Sequence, residues 1–138
     1  MASIMDFGSD LQTAEAWVDD LMRCLGWHDR QRAYSALLST LRALRDCLGR
    51  DEAVYVGAQL PALLRGHYYE GWHPHVRKAL SRNAFLDRVL DGVHRDVAVD
   101  AEQVARAVMA LLATRMPAAE LEDAKAATPP ALHNLWPS

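Results

Sequence analysis

The chain has 138 residues, 51% of them hydrophobic and 24% charged, and its 15 Lys and Arg against 18 Asp and Glu leave a net charge of −3 at neutral pH. That suits one ordinary domain, or two small halves sharing a core, and it excludes the broad basic footprint of a non-specific nucleic-acid binder. No apolar run approaches the 18 or so residues of a membrane span, and the opening MASIMDFGSD has neither the basic residues nor the apolar stretch of a secretory signal, so a soluble, cytoplasmic globular protein with no membrane contact is expected.

Alanine, leucine and arginine, strong helix formers, are abundant. No segment alternates apolar and polar with period two over a convincing length, and no Asn-Gly or Asp-Gly turn joins two β-branched runs. An all-α bundle of about six helices follows.

The first helix is expected to start near Thr13 or slightly earlier, with Ser9 and Gln12 as a capping box or Thr13 as the cap. Trp17, Val18, Leu21, Cys24 and Leu25 share one face, and Gly26 supplies a left-handed stop. The second helix follows Asp29, an N-cap. Its stripe is Ala33, Leu37, Thr40, Leu41, Leu44 and Leu48, and Gly49 is its stop. The third begins around Asp51 and Glu52, acids suited to the positive end of the helix dipole, and continues through Val56 and Leu60. Pro61 predicts a kink there, or a break with a short new helix from Pro61 to Arg65 that Gly66 ends.

His67 to Val76 (HYYEGWHPHV) is irregular and reads as a linker. A fourth helix starts near Ser81 and buries Phe85, Leu86, Val89, Leu90 and Val93. A fifth follows Asp100, paired with Gln103 in a capping-box arrangement, and buries Val104, Ala107, Val108, Leu111 and Leu112. A sixth opens with Pro117, Glu120 near its positive end. Pro129 and Pro130 interrupt it, leaving a short piece from about Ala131 to Leu135.

The two halves align without a gap at an offset of 68 residues. Thr13 then matches Ser81, Trp17 matches Phe85, and Asp19, Leu44 and Glu52 match Asp87, Leu112 and Glu120. Pro61 matches Pro129, Leu64 matches Leu132, Gly66 matches Asn134, and Tyr68 matches Trp136. Identities are few, but a proline late in the third helix, then Gly or Asn, then an aromatic recur in both halves. Gly and Asn are the residues that best tolerate a left-handed cap. Asp29 and Asp100 are out of register by about one turn, so the loops before the second helices differ. The reading is two tandem three-helix repeats, about 9–72 and 81–136, joined by a linker at about 73–80. A unit of about 60 residues is marginal alone, so the two are expected to bury apolar faces against each other in a single domain, 1–138.

Residues Asp51 to Trp72 read DEAVYVGAQLPALLRGHYYEGW. Glu52, Ala53, Ala58, Gln59, Leu60, Pro61, Leu63, Leu64, Arg65, Gly66, Tyr68, Tyr69, Gly71 and Trp72 match a block of the form E-A-x-x-L-x-A-Q-L-P-x-L-L-R-G-x-Y-Y-x-G-W. It resembles that of the bacterial family known as domain of unknown function 2267. The likeness extends to FLDRV at Phe85 to Val89 and to the terminal PPALHNLW. It implies an all-helical fold and supplies no catalytic residue or cofactor. The family tends to carry an arginine-rich linker after Trp72; here the linker is histidine-rich.

Four constellations have chemical potential. His67, His73 and His75, with Glu70 nearby, offer imidazoles and a carboxylate for a metal, but neither HExxH nor CxxC spacing is present and the plainer reading is exposed side chains. Tyr68, Tyr69 and Trp72 beside Arg65 and Glu70 have the composition of a binding hot spot. The plainer reading folds Tyr68 and Trp72 over the cap at Gly66 and over the seam between the halves. Cys24 and Cys47 lie on or at the edge of apolar faces, toward helix C-termini where a thiol is not activated. Arg30, Arg32, Arg42, Arg45 and Arg50 line the second helix and its end. Arg42 and Arg45 could touch phosphate, but read more simply as a solvated face answered by Asp46 and Asp51.

No glycine-rich phosphate loop or nucleophile elbow appears. The expectation is a non-enzymatic helical protein acting through protein contacts or as a homodimer, with Arg65, Tyr68, Tyr69, Glu70, Trp72, His73 and His75 as its interaction surface. Nucleic-acid binding through the second-helix arginines is a poor fit. The alternative is a small-molecule or metal-dependent site at the junction of the halves, built from His67, Glu70, His73 and His75.

Overall fold

A computed structural model describes residues 7–138, and every regular element among them is helical. Residues 1–6, on which much of the reading of the opening segment fell, lie outside the described residues. The elements are α1 (Phe7–Leu25), α2 (Arg30–Cys47), α3 (Arg50–Ala58), α4 (Ala62–Tyr69), α5 (Arg82–Asp91), α6 (Ala101–Ala113), α7 (Ala118–Ala127) and a 3-10 turn, Pro130–Leu135. Among the described residues there are thus seven α-helices rather than about six, because Pro61 breaks the third expected helix instead of bending it.

Caps set most boundaries. Asp29 Oδ1 accepts from the Arg32 amide at 3.1 Å, Ser81 Oγ from Ala84 at 3.1 Å, and Asp100 Oδ1 from Glu102 and Gln103 at 3.1 and 3.2 Å. Pro61, Pro117 and Pro129 stand at the N-cap of α4, α7 and the 3-10 turn. There the missing amide costs nothing, since the first amides of a helix have no intrahelical partner. Gly26 closes α1 at φ +70°, and the Trp27 amide donates back to the Met22 carbonyl at 2.9 Å.

Three boundaries differ from expectation. The chain is already helical at Phe7, so Ser9 and Thr13 lie inside α1, where the Thr13 hydroxyl donates back to the Ser9 carbonyl at 2.8 Å and caps nothing. Leu48, one residue before the expected stop at Gly49, is the C-cap of α2, and Gly49 is the extended N-cap of α3. Gly66 lies inside α4, which runs on to Tyr69, so His67, Tyr68 and Tyr69 are helical, not linker. The left-handed residue that ends this segment is Gly71, at φ +74°.

α2 is the axis of the molecule. It packs on α1, α3, α4, α5 and α6, and Ala33, Ala36, Leu37, Thr40, Leu41, Ala43, Leu44 and Cys47 along it are fully buried. The Thr40 hydroxyl is satisfied by the Ala36 carbonyl at 2.8 Å. α5 crosses α2 where a β-carbon on Gly92 would collide with the Ser35 carbonyl and the Ser39 hydroxyl, and Ser39 Oγ donates to the Val89 carbonyl at 3.0 Å. α1 lies against α6 and α4, α3 against α7, and the 3-10 turn against α6. Trp17, Leu21, Phe85, Met109, Leu112, Leu132 and Leu135 share the one core cluster. The expected buried faces of α5 and α6 hold at Phe85, Val89, Val93, Val104, Ala107, Val108, Leu111 and Leu112; Leu86 and Leu90 are half-buried.

Candidate functional site

The candidate residues converge on the carboxyl end of α4. A helix ends with carbonyls that lack partners, and here α2 supplies them. Arg42 donates to the His67 carbonyl through Nε (2.9 Å) and Nη2 (2.7 Å), and through Nη2 to Glu70 Oε1 at 3.0 Å. Arg45 donates through Nη1 to the Tyr68 and Glu70 carbonyls, at 2.6 and 2.9 Å. This carries α4 past Gly66. It also corrects the picture of Arg42 and Arg45 as a solvated face, since Arg45 is 4% exposed.

Beneath this cap is a buried ion cluster. Asp46 receives Arg45 Nε on Oδ1 at 2.9 Å and Arg88 Nη1, from α5, on Oδ2 at 2.8 Å. Burial pushes the Asp46 pKa up, but hydrogen bonds and charge from Arg45 and Arg88 outweigh it and hold the carboxyl below its usual value. The strap from α4 to α5 crosses the same point. The Lys78 amide donates to the Asp46 carbonyl at 2.7 Å, and Arg77 donates to the carbonyls of Cys47 (2.9 Å) and Ala127. Cys47 lies buried beneath it, its thiol pushed up to about 11 chiefly by burial.

The expected surface residues separate into two sets. Tyr68 is fully buried, its hydroxyl donating to the Ala53 carbonyl at 2.7 Å, and burial raises its pKa. Arg65 binds the carbonyls of Gly57 and Leu60 at 2.9 and 2.8 Å, tying α4 to the end of α3. Tyr69 is half-buried between Tyr68 and Trp72, with ring centroids at 4.9 and 5.4 Å. Glu70, His73 and His75 are exposed. His67 Nδ1 lies 3.0 Å from Glu70 Oε1, and this contact, ahead of Arg42, lowers the Glu70 pKa. No group of three or more His, Cys, Asp or Glu among the described residues is placed to hold a metal. Cys24, expected at the edge of the apolar face, is exposed.

Two concavities lie away from the α4 end. The first is a polar cleft of about 460 Å³ where the α1–α2 and α5–α6 loops meet, lined by Trp27, His28, Asp29, Arg32, Asp96 and Asp100 among others. Arg32 stacks over Trp27 at 5.3 Å and pairs with Asp96 at 2.7 Å. The loop is held by His94 and Arg95, both left-handed at φ 52° and 56°. The second is an apolar groove of about 420 Å³ between α1, α2 and α4, lined by Leu11, Ala14, Val18, Tyr34 and Leu63, with Glu15, Arg30 and Gln31 at its rim. Leu11 and Leu63 stand 50% and 45% exposed beside it. The Tyr34 hydroxyl is buried with no hydrogen-bond partner. Sequence held one usable signal for the groove: Leu11 and Leu63 are large apolar residues outside the stripes that fill the core.

Of the five second-helix arginines, Arg30 pairs with Asp19 at 2.6 Å, Arg32 with Asp96, and Arg42 and Arg45 with α4. Arg50 is exposed at the start of α3. No helix among the described residues is long and apolar enough to cross a membrane.

The α3–α4 segment is thus locked by the chain's own Arg65, Tyr68 and Ala53. The chain belongs to a family of uncharacterized conserved proteins (DUF2267), whose model matches residues 14–135, from the middle of α1 to the end of the 3-10 turn. No curated protein matches the chain.

Proposed function

We propose that the protein is a non-enzymatic helical module that works in the cytoplasm through protein contacts, self-association included. The observation that carries this reading is the apolar groove between α1, α2 and α4, with two large leucines exposed at its edge. Exposed apolar side chains gathered around a concavity mark contact surfaces. The α4 end adds a second patch, in which Arg65, Glu70, His73 and His75 are exposed, Tyr69 and Trp72 are half-buried among them, and the buried Tyr68 supports them from beneath. The experiment is a pull-down of the tagged chain with mass spectrometry of what is retained, beside light scattering. A monomer at high concentration that retains nothing would overturn the reading.

We also infer that the molecule is a tandem of two related units, about 9–72 and 81–136, joined at about 73–80, in a single domain. The packing supports it: α1 and α2 lie on α6 and α5 respectively, α2 lies on α6, and α3 on α7. That is the pattern of an approximate two-fold relating α1, α2 and α3 to α5, α6 and α7. Pro61 and Pro129 begin the last piece of each unit, and Tyr68 and Trp136 are both buried. Either unit expressed alone should fail to fold cooperatively; an isolated unit with a sharp melting transition would count against it.

A further inference from the structure

We infer that the groove between α1, α2 and α4 is covered in solution by the same face of a second copy of this chain, in a two-fold dimer. The inference rests on the reading of the protein as a contact module and names the partner.

The first argument is the contrast with the other half. At the offset of 68, Ala14 corresponds to Arg82 and Leu63 to Ala131. Arg82 fills its side of the molecule: it pairs with Glu102 on α6 and donates to Asn134 Oδ1 (2.5 Å) and the Ala131 carbonyl (3.3 Å) on the 3-10 turn. The position is thus closed by a guanidinium and its acceptors. In the first half, the methyl group of Ala14 floors an open hollow, and a leucine replaces the alanine at its edge. Among the described residues, one half seals itself with ions and the other is left apolar and open.

The second argument is shape. Hollow and knobs lie side by side on one patch. An isologous pair requires that, because each copy must offer both the projection and its receptacle.

The third is charge. Glu15, on the α1 side of the rim, has no cation within ion-pair distance among the described residues. Arg30 stands at the end where α1 turns into α2, half exposed, with the half-exposed Asp19 as its carboxylate. Both signs of charge thus line one groove, and in the proposed two-fold Glu15 of each copy meets Arg30 of the other, joining the Arg30–Asp19 pair. Eight residues line the groove, against roughly 20–30 a side in a standard interface. A contact confined to the groove and its rim is small beside a standard interface, so the dimer is one that exchanges with monomer rather than a permanent one.

Sedimentation of the full chain from low micromolar to near-millimolar concentration tests this. The natural sequence should pass from monomer to dimer. Ala14→Arg, which gives the first half the residue the second half carries, and Leu63→Glu should stay monomeric with an unchanged helical spectrum. Because Ala14 is buried, the rim supplies a check that leaves the core alone: Glu15→Arg or Arg30→Glu should each weaken the dimer about tenfold or more, and the double exchange should restore it. A monomer throughout, or a dimer indifferent to Leu63→Glu and to the rim exchanges, overturns the inference. If that monomer still retains another protein through Leu63, only the second copy fails as occupant. If it retains nothing, the contact reading fails with it.

Discussion

Arg45 holds Tyr68 by its carbonyl: the guanidinium Nη1 donates across 2.6 Å from α2 to the last turn of α4. The same side chain pairs with Asp46, so one arginine joins a helix end to a buried carboxylate. Arg45→Met should destabilise the protein by about 3–5 kcal/mol, the usual cost of removing one partner from a buried ion cluster. Arg45→Lys should recover only part of this, because a point charge cannot reproduce the fork. Chemical denaturation checks both, and a loss below about 1 kcal/mol, the scale of a surface pair, would contradict the burial.

Gly66 and Gly92 should respond in opposite senses to alanine. Gly66 is inside α4 with open space where a β-carbon would stand, so Gly66→Ala should stabilise by about 0.5–1 kcal/mol. Were Gly66 a left-handed stop, as its sequence context suggests, the same change would destabilise. Gly92→Ala meets the backbone of α2 at Ser35 and should cost about 1–3 kcal/mol by overpacking. Thermal melts of the two variants decide it.

The two buried tyrosine hydroxyls differ in the same way. Tyr68→Phe removes a bond to the Ala53 carbonyl and should cost about 1 kcal/mol. Tyr34→Phe removes a hydroxyl that has no partner and should be neutral or mildly stabilising. A Tyr34→Phe loss as large as that of Tyr68→Phe would show that the hydroxyl is engaged after all.

Acid should weaken the fold. The carboxyls of Asp46, Asp20 and Asp96 are held below their usual value by arginine or amide partners. A lowered folded-state pKa means stability that is present above the unfolded value, about 4 for Asp, and that is lost as pH falls through the folded value. Urea midpoints should therefore be flat near neutrality and drop below about pH 4. Replacing Asp46 with Asn should lower the plateau and reduce the acid slope.

The helices were legible in the sequence because their signals are local. Asp29, Ser81 and Asp100 cap where their types and positions suggest, and the stripes of α2 and α6 fill the core. Structure departs from sequence pattern where a distant residue overrides a local one. Gly66 is a poor helix former but continues α4, because Arg42 and Arg45, more than twenty residues earlier, take the carbonyls that would otherwise end it. The same long-range bonds turned a supposed solvated arginine face into an internal brace. The aromatic block stands out in the sequence, yet no local rule says which of two adjacent tyrosines is inside. Helical phase around α4 and the acceptor at Ala53 put Tyr68 in and leave Tyr69 at the edge. Beyond Leu11 and Leu63 the groove has no signature in the sequence, because its floor is Ala14 and Val18, ordinary core residues, and its openness depends on what α4 leaves uncovered.

The trio Arg45, Asp46 and Arg88 constrains how this chain can drift. Changing any one of them unbalances the other two in a site mostly closed to water, whereas losing all three removes the charges together, at the further expense of the Tyr68 and Glu70 carbonyls that Arg45 holds. Descendants should keep the whole set or lose the whole set, and one in which only Asp46 has gone should show a further change at 45 or 88.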